Sequence, residues 1–439
     1  MNGDIVVVGA GPKAMAVAAR ATVLRELGYR VPDVTIVEQR SVASNWTFAG
    51  GRTTGRQRLG SYPEKDVGYP YESDEFGTDN AEIDRRLYRY SWVTYMIERR
   101  EYAGWVDRGR PQPRHREWAA YLRWVAARVD HRLVHGRATE LDVSGDGWRV
   151  AVESGGRRTE VRGETLMLTG PGPAESRFPR DVVVDTHAFF VDGPGDVRRD
   201  GHVAVIGGGE TSASIVEELV ADRFESITVI TPDPVVFSRG EGFVENRLFN
   251  APELWASLSA DDRRALIQRI DRGVYSTDAL ERLAAEPGVG HRQGRVVGCV
   301  RGDDGVALTL LDGHGVATTV RFDAVVDGAA SNRHWFLSAL GPTARERLAA
   351  TVGAAEPTFA LIEERIDRHI AVDGLRPRLV LPMLAGYAQG PGFPNLTCLG
   401  RLSDRVLRPL VTEPDRTRAR PDGHAMTDAG PDAWMVATD

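Results

Sequence analysis

Residues 202–214 read "HVAVIGGGETSAS", and this stretch decides the fold because it is the second of its kind in the chain. The apolar run Val203 to Ile206 is followed by Gly207, Gly209 and Ser212 at the spacing GxGxxG. An apolar run of this kind suits a parallel strand buried on both faces. Small residues at that spacing allow a tight turn, close approach of a pyrophosphate, and packing of the next helix on the strand. Ser212 replaces the usual third Gly or Ala, but it is still small. The chain opens on the same pattern: "DIVVVGAGPKAMAVAA", residues 4–19, sets Gly9, Gly11, Pro12 and Ala14 behind the strand Ile5 to Val8. In each unit the helix N-terminus offers amide donors and a positive dipole to phosphates. Taken alone, either turn could belong to an ordinary α/β fold.

The next strand distinguishes the two turns. "VTIVE" ends in Glu38, 29 positions after Gly9, where a carboxylate can bind ribose hydroxyls. "SITVIT" ends in Thr231 instead, so a 2'-phosphate is not repelled and NADPH is favoured over NADH. Glu210 and Thr211 complete this second turn, and Arg239 in "VFSRGEG" is a candidate partner for the phosphate, with a solvated surface arginine as the alternative. Two such sites in one chain suggest FAD at the first and NADPH at the second, with hydride passing from nicotinamide to flavin. The expected fold class is therefore α/β, with two Rossmann-like dinucleotide-binding domains (FAD and NADPH) and a smaller helical substrate-binding region.

Composition narrows the function classes. The 439 residues suffice for two or three domains. Lys plus Arg number 55 against 62 Asp plus Glu, a net charge of -7, which leaves no basic excess for a nucleic-acid partner. Cys299 and Cys398 are far apart and form no CxxC, so neither a disulfide framework, a thiolate metal site nor a disulfide reductase is expected. No apolar run approaches the roughly 18 residues of a spanning helix. A soluble cytoplasmic protein is expected, with a homo-oligomer possible. From Glu413 onward the chain loses hydrophobic periodicity and reads as a mobile tail.

Beyond the turns, the chain resembles the flavin-dependent N-hydroxylating monooxygenases, and most of all the L-lysine epsilon-N-hydroxylases of mycobactin and nocobactin siderophore biosynthesis. The resemblance runs from about residue 3 to 411. It rests on "VVGAGPKAMAVAA", "LGSYPEKDVGYP", "YSWVTYM" with "WVDRGRPQPRHREWAAYLRWVA", "VAVIGGGETSAS", "FSRGEGFVENRLF" and "QGPGFPNLTCLGRLSDRVL", in that order. It implies that Lys65 binds the substrate carboxylate and that Trp46 lies against the flavin. It places Glu245 and Asn246 at the substrate-amine position, in the reverse of the usual Asn-Glu order. Ser403 would reach the reacting amine, with Leu402 and Asp404 as flavin neighbours, although Asp404 could instead cap a helix. The chain also departs from the family: Leu59-Gly60 stands where relatives carry Met-Gln, and Asp271, Arg272 and Gly273 stand where they hold the amine with an Asn.

The implied activity is FAD- and NADPH-dependent hydroxylation of the epsilon-amine of L-lysine by dioxygen through a flavin hydroperoxide. The flavin carries the chemistry, and neither a catalytic side chain nor a metal is required. Three alternatives stay open: an ornithine delta-N-hydroxylase, a flavin reductase or NADPH oxidase without oxygen transfer, and a non-catalytic NADPH-binding protein. The order of motifs suggests an FAD-binding domain at 1–195 and 374–412 and an inserted NADPH-binding domain at 196–330. The substrate-binding helices would lie at 245–290 and 332–372, with the tail at 413–439. Asn250 with Pro252, and "SADD", read as helix starts.

Overall fold

The computed structural model describes residues 4–173, 175–329 and 332–414; the tail expectation therefore lies almost wholly outside the described residues. Two five-stranded, all-parallel sheets organise the chain. The first runs in the order Arg378–Val380, Thr165–Leu168, Ile5–Val8, Val34–Glu38, Arg132–His135. The second runs Val289–Gln293, Ser226–Thr231, His202–Ile206, Ala324–Asp327, Val184–Asp185. Each has a glycine-turn strand at its centre. Apolar strands such as Ile5–Val8 and His202–Ile206 are buried because helices and meanders cover both faces.

Both sheets are built by the same chain order of strand, helix, strand, third strand, antiparallel three-stranded meander, and return strand. The meanders are Arg137–Ser144 with Gly147–Ser154 and Arg157–Gly163, and Arg295–Gly302 with Gly305–Leu311 and Ala317–Phe322. Glycine turns join their strands, and left-handed Gly145, Gly155 and Gly305 mark them. The corresponding signals in the sequence include "GDG" and "SGG".

Helix Pro12–Glu26 starts directly at the first turn, with Gly11 as its N-cap and Pro12 at N1. It is buried continuously from Lys13 to Leu24, because the C-terminal helix Leu399–Leu407 packs along it as well. Arg20 joins the two helices through a fully buried ion pair, its Nη1 lying 2.6 Å from Asp404 Oδ1.

Two expected boundaries are corrected. The second sheet begins before residue 195, since Val184–Asp185 already pairs with its strand Ala324–Asp327; two residues carry no periodic signal. Helices Trp335–Ala339 and Pro342–Val352 do not face an amine pocket. They pack on the first meander, where Gly341 and Ala344 amides donate to Leu141 O and Asp142 Oδ1 at 2.8 and 2.9 Å. Helix Ala260–Ile270 does start at "SADD", with Ser259 Oγ accepting from Asp262 N–H. A helix also starts at Pro252 as expected, but its cap is Ala251, and Asn250 ends the preceding helix Phe243–Asn250. No helix among the described residues is long and apolar enough to cross a membrane.

Candidate functional site

The first glycine turn and the first residues of the helix that follows the second turn line one cavity of about 360 Å³. The first turn contributes Gly9, Gly11, Pro12 and Lys13, and the second contributes Glu210 and Thr211. Gly9 has φ +99°, and a Cβ there would lie 2.6 Å from Thr169 Oγ1, so the tight turn itself demands glycine. Gly11 and Gly209 are different: each caps a helix, and a Cβ on either would meet no atom within 4 Å. The bare backbone there leaves room for a ligand to reach the helix amides, which is what a diphosphate requires. Ala14 and Ser212 are fully buried, and the Ser212 hydroxyl donates to Gly207 O at 2.6 Å. Ser212 therefore stabilises the turn from within instead of touching a ligand.

Glu38 sits on the rim of the cavity, its two oxygens accepting Ala10 N–H and Arg40 N–H at 3.0 and 2.9 Å. Trp46 lines the same space, edge-on to His115 with ring centroids 4.9 Å apart. Burial pushes the His115 imidazole down to about 4, so it is neutral at physiological pH. Lys13 was not singled out by the sequence, yet its Nζ lies inside the cavity wall and donates to Pro394 O at 2.7 Å. Burial pushes its ammonium down to about 8. A lysine within "GAGPKA" was the available signal.

A second cavity of about 300 Å³ adjoins the first. Gly60, Ser61, Arg239 and Thr397 line both and form the boundary between them. In the second cavity Lys65 Nζ donates to Asn246 Oδ1 at 2.8 Å, and Asn246 Nδ2 donates to the Glu241 carbonyl at 2.6 Å. Burial pushes the Lys65 ammonium down to about 8; Glu241 opposes that shift and Arg239 adds to it. Lys65 is thus a desolvated cation aimed into a cleft, an arrangement suited to a carboxylate.

The structure corrects several expected roles. Ser403 and Asp404 are completely buried and line neither cavity. Ser403 Oγ accepts from Arg20 Nε at 2.8 Å, and Asp404 Oδ2 accepts from Asp74 N–H at 3.0 Å. Leu402 is likewise core. The segment that does reach the cavities lies just upstream, at Asn395, Leu396 and Thr397. Glu245 caps its own helix by accepting Gly242 N–H at 2.9 Å and lines neither cavity. Thr231 is buried, its hydroxyl sharing hydrogen bonds with Asp233 O and His291 Nε2. Arg239 points away from the end of that strand to the boundary of the two cavities, donating to Gly60 O and Glu210 Oε1, each at 2.8 Å. A Cβ on Gly60 would lie 2.5 Å from Glu210 Oε2, so the missing amide side chain at this position makes space for the Glu210–Arg239 pair.

The chain's relatives bear on this geometry. L-lysine N6-monooxygenase MbtG of Mycobacterium sp. (strain MCS) is 45% identical over 418 residues, covering 93% of this chain and 95% of its own. The chain belongs to the L-lysine 6-monooxygenase/L-ornithine 5-monooxygenase family. The model of that family matches residues 84–285, a span that includes His115, the whole second turn, Arg239 and Asn246. The structure of lysine monooxygenase NbtG from Nocardia farcinica superposes with a TM-score of 0.81 at 41% identity, covering 95% of this chain and 100% of that one. An ornithine N-hydroxylase from Kutzneria sp. 744 shares the fold, with a TM-score of 0.72 at 18% identity over 93% of this chain and 98% of its own.

The Lys65 environment sets an expected pH dependence within this family site. Its cation is present below about pH 8 and lost above it, so carboxylate recognition should weaken as pH rises, approaching a tenfold loss per unit. L-norleucine, which has the lysine carboxylate but no epsilon-amine, isolates this term. Its inhibition constant should be flat at low pH and climb above about pH 8, and Lys65→Arg should remove the climb.

Proposed function

We propose that the chain hydroxylates the epsilon-amine of L-lysine, using FAD, NADPH and dioxygen, as a step toward hydroxamate siderophores. The observation that carries this reading is the pairing of cavities. A half-buried lysine cation stands in a cleft that shares four lining residues with the cavity lined by the first glycine turn and by the helix after the second. FAD, when bound, supplies the redox and oxygen chemistry, drawing electrons from NADPH and passing one oxygen atom of dioxygen to the amine.

The chain's own residues bind, orient and exclude water. Gly9, Gly11 and the N-terminus of helix Pro12–Glu26 would hold the FAD diphosphate, with Glu38 at the ribose and Trp46 against the ring system. Gly207, Gly209, Glu210 and Thr211 would hold NADPH on the facing side. Lys65 binds the substrate carboxylate and Asn246 fixes the Lys65 ammonium, so the aliphatic chain of lysine extends past the shared lining residues toward the flavin cavity. The reacting amine must be neutral. Since free lysine has a pKa of about 10.4, deprotonation near pH 8 costs roughly 3 kcal/mol. The Arg239 guanidinium at the boundary of the two cavities disfavours a second cation beside it and lowers that cost.

Gly209→Val gives a separate test of the second turn. A side chain in that open space would stand between the diphosphate and the helix amides, removing charge-assisted hydrogen bonds of about 1.5 to 3 kcal/mol each. The KM for NADPH should rise roughly 10- to 100-fold while bound FAD is unchanged; equal loss of both cofactors would contradict the assignment. Lysine and ornithine differ by one methylene, which is worth about 1 to 3 kcal/mol of discrimination. Parallel incubation with each amino acid, with product mass as the readout, tests the substrate choice: preferential hydroxylation of ornithine would reassign it.

A further inference from the structure

Lys65 accounts for one end of an α-amino acid, and the α-ammonium still needs a partner. The geometry points to Glu241 as the residue that binds the substrate α-ammonium, making the second cavity a zwitterion site selective for α-amino acids over simple amines. This rests on the hydroxylase reading above.

Three carboxylates line that cavity: Glu241, Asp278 and Glu281. Only Glu241 is tied to the lysine cation, since Asn246 bridges Lys65 Nζ and the Glu241 backbone through bonds of 2.8 and 2.6 Å. Of the three, Glu241 alone exerts a resolved electrostatic effect on Lys65. One Glu241 oxygen is anchored, accepting Thr277 N–H at 3.1 Å from the first turn of helix Thr277–Ala284. The other has the Arg239 guanidinium 3.5 Å away, a separation outside hydrogen-bond range for a well-formed pair. Arg239 makes its short bonds elsewhere, to Gly60 O and Glu210. A carboxylate that lines the cleft with one oxygen anchored and only a 3.5 Å ion pair on the other can accept an ammonium without breaking a short bond. Because the α-carbon carries both charged groups, a cation and a carboxylate lining one cleft suit the two of them, and the side chain is left to extend toward the flavin cavity.

The test is calorimetric titration of the FAD-loaded protein with L-lysine and with 6-aminohexanoate, which is lysine without the α-amino group, for the wild type and Glu241→Gln. The wild type should bind L-lysine roughly 10- to 100-fold more tightly than 6-aminohexanoate, the range of a charge-assisted hydrogen bond. Glu241→Gln should weaken L-lysine by that factor and leave 6-aminohexanoate within about twofold, so the preference collapses. Glutamine keeps an acceptor for Thr277 N–H, and unchanged 6-aminohexanoate binding reports an intact fold. Equal affinity of the wild type for the two ligands overturns the assignment without any variant, as does an equal loss of both in Glu241→Gln or unchanged L-lysine binding. Hydroxylamine formation is scored separately. Glu241-dependent lysine binding with only peroxide as product keeps this assignment and removes the hydroxylase reading; hydroxylation with no Glu241 dependence does the reverse.

Discussion

Lys65→Ala should raise the apparent KM for L-lysine about 100-fold, the upper range for loss of a charge-assisted hydrogen bond in a desolvated site, while FAD stays bound. The size follows from burial. The Lys65 ammonium is sufficiently removed from water to be pushed down to about 8, so a bound carboxylate there competes with little solvent. Its removal also leaves Asn246 Oδ1 without the donor that holds it at 2.8 Å, loosening the cleft on a second side. The flavin cavity does not include Lys65, which is why cofactor content should be unaffected. Steady-state kinetics on the FAD-replete variant check this, and an unchanged KM would remove Lys65 from the site.

The second large effect concerns stability. Asp404→Ala should lower the unfolding free energy by about 3 to 5 kcal/mol, the usual cost of leaving one partner of a buried ion pair without the other. Arg20 and Asp404 have 1% and 0% of their side chains exposed and lie 2.6 Å apart. The remaining Arg20 donors reach Ser403 Oγ and Gly400 O at 2.8 and 3.0 Å, so the guanidinium joins the helix that begins at the first glycine turn to the C-terminal helix. Ser403→Ala should cost only about 1 kcal/mol, a single hydrogen bond. Denaturant unfolding separates this role from the one suggested by family resemblance. A stable Asp404→Ala protein that fails to retain FAD would support direct flavin contact instead.

The parts of the molecule legible in sequence are those where one local motif sets the geometry. Ile5–Val8 with Gly9, and His202–Ile206 with Gly207, announce strand and turn because an apolar run ending in a left-handed glycine has few other solutions. Lys65 and Asn246 lie 181 positions apart and were chosen by resemblance alone; nothing in their local sequence shows that they touch. The Ser403 segment shows where resemblance fails. "RLSD" preserves residue types, but a helix packed along Pro12–Glu26 turns those side chains into the core, and Asn395 to Thr397 line the cavity in their place. Arg239 was judged by charge and proximity to the second turn, while its direction is set by Gly60, a residue whose importance is that it has no side chain. Glu241 carried no motif at all.

The measurement that tests the central claim most directly is the ratio of hydroxylamine formed on the lysine side chain to NADPH consumed, for the FAD-loaded protein in air-saturated buffer with saturating L-lysine. The two-cavity account predicts that lysine yields N6-hydroxylysine as a major share of the NADPH oxidised, and that Lys65→Ala shifts the balance toward hydrogen peroxide. NADPH oxidation that yields only peroxide with L-lysine, whatever its concentration, would contradict it.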